Sequence, residues 1–152
     1  MALDDTIATL ARAPLIGLLE RDALRLLAFS AVTRRLRTNE VLFKEGERSD
    51  GGYVVLEGEL GVVRKDSETV ALAGPGSVVG QIALFVRLHR PSSAVARRET
   101  AVLRVSPTLM RRVLEEFPAA AESVRDAVAD DLDDLTGQLE TVRKMLLRIG
   151  RR

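Results

Sequence analysis

Apolar residues between Asp5 and Ala31 recur at nearly helical spacing: Ile7, Leu10, Leu15, Leu18, Leu19, Leu24, Leu27 and Phe29. Pro14 and Gly17 interrupt the run, so it predicts two short helices. The period then changes. Thr33 to Arg37 and Glu40 to Phe43 alternate apolar with polar residues, and Gly46, Ser49, Asp50, Gly51 and Gly52 mark turns, which together announce a sheet. Tyr53 to Leu56, Leu60 to Val63 and Val70 to Ala73 are short strand-like runs, separated by Glu57-Gly58-Glu59 and by the polar loop Arg64 to Thr69. Gln81 to Leu88 is expected to be one short helix, and Ser93 to Val95 and Ala101 to Val105 are strands. Ser106 opens a further helix as its cap. Many short strands at regular spacing predict a barrel or a sandwich.

Beyond Pro118 the pattern changes again. Val128, Leu132, Leu135, Leu139, Val142, Leu146 and Ile149 alternate by four and three, a heptad seam for which a partner helix is expected. The same stripe can instead pack back on its own domain. The residue types along the seam do not choose between two strands and three or four, and Gly137 weakens the helix interior by about 1 kcal/mol relative to alanine. A homodimer is the expected assembly. Arg143, Lys144, Arg148, Arg151 and Arg152 form a basic end that complements the dipole of a helix begun by Asp126, Asp130, Asp131, Asp133 and Asp134. Contact with nucleic acid through that tail is the second reading of the same residues.

Composition narrows the function. The 152 residues suit one domain. Cysteine is absent, which removes disulfides, thiolate metal cages and thiol nucleophiles, and a cytoplasmic address follows as the expectation. The N-terminal stretch MALDDTIATLARAPL is acidic before it is apolar, unlike a secretory signal, and no apolar run reaches the roughly 18 residues of a membrane span. Lysine plus arginine number 23 against 22 aspartates and glutamates, so no broad positive field invites nucleic acid. With one histidine and none of the usual nucleophile, zinc or nucleotide-loop motifs, no enzyme is expected. Gly74-Pro75-Gly76 with Gly80 lacks the third glycine of a dinucleotide fingerprint, because Val79 stands there; it is a turn.

Three segments in order carry a family resemblance: Phe43 to Glu47 as F-x-x-G-E, Tyr53 to Leu60 as Y-V-V-L-x-G-x-L, and Gly76 to Leu84 as G-x-x-x-G-x-I-A-L. This succession resembles the cyclic-nucleotide-binding domain family. The resemblance implies an α+β fold: an antiparallel jelly-roll β-barrel with N-terminal helices over residues 1–117, and a long coiled-coil-like helix over 118–152 that commonly pairs two subunits. It implies that Gly80, Gln81, Ile82 and Ala83 face the phosphate of a cyclic nucleotide, cyclic AMP or cyclic GMP, with no other cofactor. Gln81 stands where the family has a glutamate that accepts a hydrogen bond from the ribose. Ser92 stands where the family has the phosphate-binding arginine, with Arg90 two residues earlier and Ser93 beside it; a register shift of the loop is the expected condition for Arg90 to substitute. Oxygen-sensing relatives need cysteines that this chain lacks, and a haem would need His89, which belongs to an expected surface loop. Relatives that regulate genes carry a helix-turn-helix after the pairing helix, for which this sequence leaves no residues beyond Arg152.

The function expected from these features is a stand-alone regulatory module that binds a cyclic nucleotide weakly or in altered form, self-associates and signals through an unidentified protein partner. The rival is a ligand-free interaction or scaffold protein. A DNA-binding regulator using the basic tail comes third.

Overall fold

The computed structural model of the chain describes residues 2–66 and 69–131. Helix α1 (Leu3–Arg12), a 3-10 turn (Ile16–Leu18) and α2 (Arg21–Ser30) precede the strands β1 (Val32–Leu36), β2 (Val41–Phe43), β3 (Gly52–Glu57), β4 (Leu60–Val63), β5 (Thr69–Ala73) and β6 (Val78–Val79). A second 3-10 turn (Ile82–Leu84), β7 (Ser93–Ala96), β8 (Thr100–Val105), α3 (Pro107–Glu116) and α4 (Pro118–Asp131) follow.

The strands form two antiparallel four-stranded sheets, in the orders β1-β8-β3-β6 and β2-β7-β4-β5. The jelly-roll barrel expected from the resemblance is thus two antiparallel sheets. Its seam stays open at β6, which pairs for only Val78 and Val79 before Gly80, at φ +77°, turns the chain away. Strand β3 is buried on both faces because it lies in the middle layer. Val54 and Leu56 join a cluster with the helices, including Leu10, Leu27 and Leu114, while Tyr53 and Val55 face the other sheet with Leu60, Ala94 and Val102. That double burial explains a run that is apolar at successive positions where a one-sided strand would alternate.

Ser106 caps α3 as expected, its hydroxyl accepting the Leu109 N–H at 3.1 Å, with Pro107 at the first helical position. One expectation is corrected. The helix expected over Gln81 to Leu88 is one 3-10 turn, because Leu88 is held instead by Ser49: its N–H donates to Ser49 Oγ at 3.0 Å and its carbonyl accepts the Ser49 N–H at 2.7 Å. Phe29 lies in α2 as its spacing predicts, and its side chain is 81% exposed. Val128 is fully buried within the chain's own helical cluster; the other seam positions, Leu132, Leu135, Leu139, Val142, Leu146 and Ile149, and the basic tail lie outside the described residues. Among the described residues no helix is long and apolar enough to cross a membrane.

Candidate functional site

Backbone pairing builds the site. Arg90 N–H donates to Glu47 O at 2.7 Å, and Arg90 O accepts the Gly46 N–H at 2.8 Å, so the segment leading to Pro91 is clamped against the glycine-rich turn before β3. The clamp sends the Arg90 side chain inward, where the residue is only 3% exposed. Arg90 lines an open cavity of about 590 Å³ together with Gly80, Gln81, Ile82, Ala83 and Ser92. Six of the seven residues expected at a ligand site thus share one concavity. Ser93 does not line it; its hydroxyl accepts the Glu45 N–H at 2.8 Å and fixes β7 to the turn.

The guanidinium of Arg90 is held on one side only. Nη2 donates to Asp50 Oδ1 at 3.1 Å and to Gly51 O at 2.7 Å. Its Cζ sits 4.0 Å from the centre of the Phe43 ring and 5.7 Å from that of Tyr53, a cation–π arrangement with two rings. Among the described residues, the buried side-chain nitrogens and oxygens without a hydrogen-bond partner are Nε and Nη1 of this arginine. Buried polar groups are normally paired, which sets these two nitrogens apart.

Gly80 makes room for this cation. A Cβ at position 80 would lie 2.7 Å from Nη1, and φ +77° is a conformation that glycine adopts without strain. Asp50 is shared: the Tyr53 hydroxyl donates to Oδ1 at 3.1 Å, and Arg104 Nη1 approaches Oδ2 at 3.4 Å. Burial lowers the Arg90 pKa from its ordinary value, opposed by the Asp50 carboxylate. Burial also raises the Tyr53 pKa, and the negative charge of Asp50 adds to it. Both groups keep their ordinary neutral-pH forms, a cation and a phenol.

The remaining wall is apolar. Of the residues that line the cavity all but Ser77, Gln81, Arg90 and Ser92 are apolar or glycine. Sheet residues Val62, Ala71, Leu72 and Ala73 form one side, and Pro14 brings the helical layer to the mouth. Pro14 also accepts the Ile16 N–H at 2.7 Å around Leu15, whose φ of 63° and ψ of −53° describe a strained γ-turn. The 3-10 turn Ile82–Leu84 is too short to carry a sizeable helix dipole. Among the described residues that line the cavity, Arg90 is the charged one.

Asp50 and Gly51 were legible only as turn residues. The signal that could have found Asp50 is the cluster S-D-G-G just before a strand, because a turn carboxylate at a strand entrance is placed to meet a cation arriving from another loop. His89 is exposed, with Nδ1 3.1 Å from Gly46 O, and does not line the cavity. A second concavity of about 540 Å³ is lined by Arg35, Arg37, Glu40, Glu57, Arg98 and Glu99 among others. Its Arg35–Glu57 pair at 3.2 Å is largely exposed and of small energetic value.

Residues 33–117 match the family model of the cyclic nucleotide-binding domain. Among solved structures, a cyclic nucleotide-binding-like protein from Brucella abortus shares 36% identity over 74% of this chain and 99% of that one, with a TM-score of 0.66. The N-terminal domain of a transcriptional regulator from Streptomyces coelicolor shares 27% identity over 84% and 91% of the two chains, with a TM-score of 0.77. Among curated proteins, a lysophospholipase NTE1 from Kluyveromyces lactis is 31% identical over 101 residues, and one from Phaeosphaeria nodorum is 28% identical over 100. Each alignment covers 62% of this chain but only 7% and 6% of those proteins.

Proposed function

Because this chain belongs to the cyclic nucleotide-binding domain family, we propose that it is a regulatory module whose cavity at Arg90 and Gly80 to Ala83 receives the anionic part of a small ligand. The observation that carries this reading is the buried Arg90 guanidinium with Nε and Nη1 unpaired. In the cyclic-nucleotide version of the reading, Arg90 and Ser92 take the phosphate oxygens and Gln81 the ribose, accepting through a neutral amide carbonyl without charge assistance. Ligand pressing on Pro14 then biases the helical layer, the differential contact that a switch requires.

Calorimetric titration of nucleotide-stripped protein with cyclic AMP and cyclic GMP tests this. Saturable binding is expected, lost in the Gln81→Ala, Arg90→Ala double variant. Ligand at a hundredfold its Kd then raises stability by about 2.7 kcal/mol, or roughly 5–10 °C in Tm for a chain of this size. Silence up to millimolar ligand favours the scaffold reading, which has its own support in the two bonds that Arg90 already makes to Asp50 and Gly51. A gel shift at two salt concentrations separates the DNA-binding alternative, for which affinity falls steeply with salt.

The module is further proposed to self-associate through Leu132, Leu135, Leu139, Val142, Leu146 and Ile149 and to act through a protein partner. Val128, in the last turns of α4, is buried in its own chain. Sedimentation over a hundredfold concentration range is expected to show a reversible dimer, converted to monomer by Leu135→Asp with Leu139→Asp. A native chain that stays monomeric at every concentration removes this part of the proposal.

A further inference from the structure

We infer that the cavity selects a small amphiphilic monoanion: one singly charged oxyanion head at Arg90, carried on an apolar body. The inference rests on reading this cavity as a ligand site and names the ligand's chemistry. Among the described residues Arg90 is the one charged residue in the lining, and Asp50 already offsets part of its charge. Among those residues no second cation lines the cavity to take up a second negative charge, and a dianion would be left uncompensated beside the Asp50 carboxylate.

The walls decide the body. A hydroxyl-rich ligand entering here exchanges water for only Ser77, Gln81 and Ser92, whereas an apolar body meets Phe43, Val62, Val79, Ile82 and Leu88. Leu72, on the edge strand β5, is 58% exposed at the rim, an apolar surface that nothing in the described chain covers. The volume of about 590 Å³ falls within the range of small-molecule sites. A body extending from Arg90 toward Leu72 covers the open leucine and places its head beside the Arg90 guanidinium.

The test is a homologous series of straight-chain carboxylates, butyrate through octanoate, titrated into the full chain. Methyl octyl phosphate, octylamine and cyclic AMP run beside them. Affinity is expected to rise roughly fourfold per added methylene while wall remains to be covered. Octylamine, with the same body and the opposite charge, is expected to bind at least tenfold more weakly than octanoate. Whichever of octanoate and methyl octyl phosphate binds more tightly identifies the head, and both are expected to exceed cyclic AMP. Leu72→Asp, at an exposed position that does not threaten folding, is expected to flatten the series.

Affinity independent of chain length, with cyclic AMP binding more tightly than octanoate, overturns the amphiphile while leaving the ligand-responsive module intact. Octylamine binding as tightly as octanoate shows adventitious apolar adsorption and overturns it as well. Silence from every anion, cyclic AMP included, removes both readings.

Discussion

Arg90→Met is expected to weaken anion binding by about one to two decades while leaving the fold as stable as the native chain, or more stable. The native side chain carries a charge into a site where the residue is 3% exposed and leaves two nitrogens unpaired. Methionine of similar reach keeps the packing against Phe43 and needs neither hydration nor hydrogen bonds. Replacing a buried ion by an apolar side chain is often neutral or stabilising, by about 1–4 kcal/mol. The other member of the pair is not stranded: Asp50 is 56% exposed and keeps the Tyr53 hydroxyl and Arg104. Loss of a charge-assisted contact to ligand weakens binding by about 1.5–3 kcal/mol, or one to two decades. Urea denaturation and ligand titration on the same preparation read both quantities. A variant destabilised by several kcal/mol would identify Arg90 as a structural strut and remove the main support for a ligand at this position.

Gly58→Ala carries the largest expected loss of stability. Gly58 turns the chain between β3 and β4 at φ +90°, and a Cβ there would stand 2.4 Å from both the Glu99 carbonyl oxygen and Thr100 Oγ1. The Thr100 hydroxyl accepts the Glu59 N–H at 3.0 Å and donates to Arg98 O at 2.8 Å, so the intruding methyl separates the two loops that this hydroxyl joins. Left-handed strain of about 1–2 kcal/mol and the broken junction together make about 3–5 kcal/mol a reasonable scale, which lowers Tm by roughly 10 °C. Gly46→Ala is the control. Its φ of +88° is nearly the same but nothing lies within 4 Å of the added Cβ, so only the backbone term applies. Equal losses in the two variants would refute the steric account.

Much of the fold is legible in the sequence because the glycines that end strands are local signals. Leu60 to Val63 is strand β4 with the bounds the pattern predicts, and Tyr53 to Leu56 is β3 short of one residue at each end. What was misread depends on partners far along the chain. Gln81 to Leu88 carries a helical pattern, but Ser49, some forty residues earlier, takes the backbone groups of Leu88. Phe29 lies in α2 as its period predicts, and among the described residues none covers its side chain at the end of that helix.

The same holds for the site. Motif order brings Gly80 to Ala83 and Arg90 under suspicion, but their geometry follows from tertiary pairing. The pattern leaves open how Arg90 reaches the cavity; the backbone exchange with Gly46 and Glu47 holds it there. Asp50 reads as a turn residue because its cation lies 40 positions away.

The close approach of Gly80 and Arg90 has an evolutionary consequence. Positions 80 and 90 compete for one small volume, so their substitutions are not independent. A lineage that shortens residue 90 first removes the steric bar at position 80, leaving only the cost of the left-handed backbone there. One that fills position 80 first must displace a buried cation and passes through a weakened intermediate. The order of mutation is thereby constrained, and descendants that abandon the anion should lose the arginine before they lose the glycine.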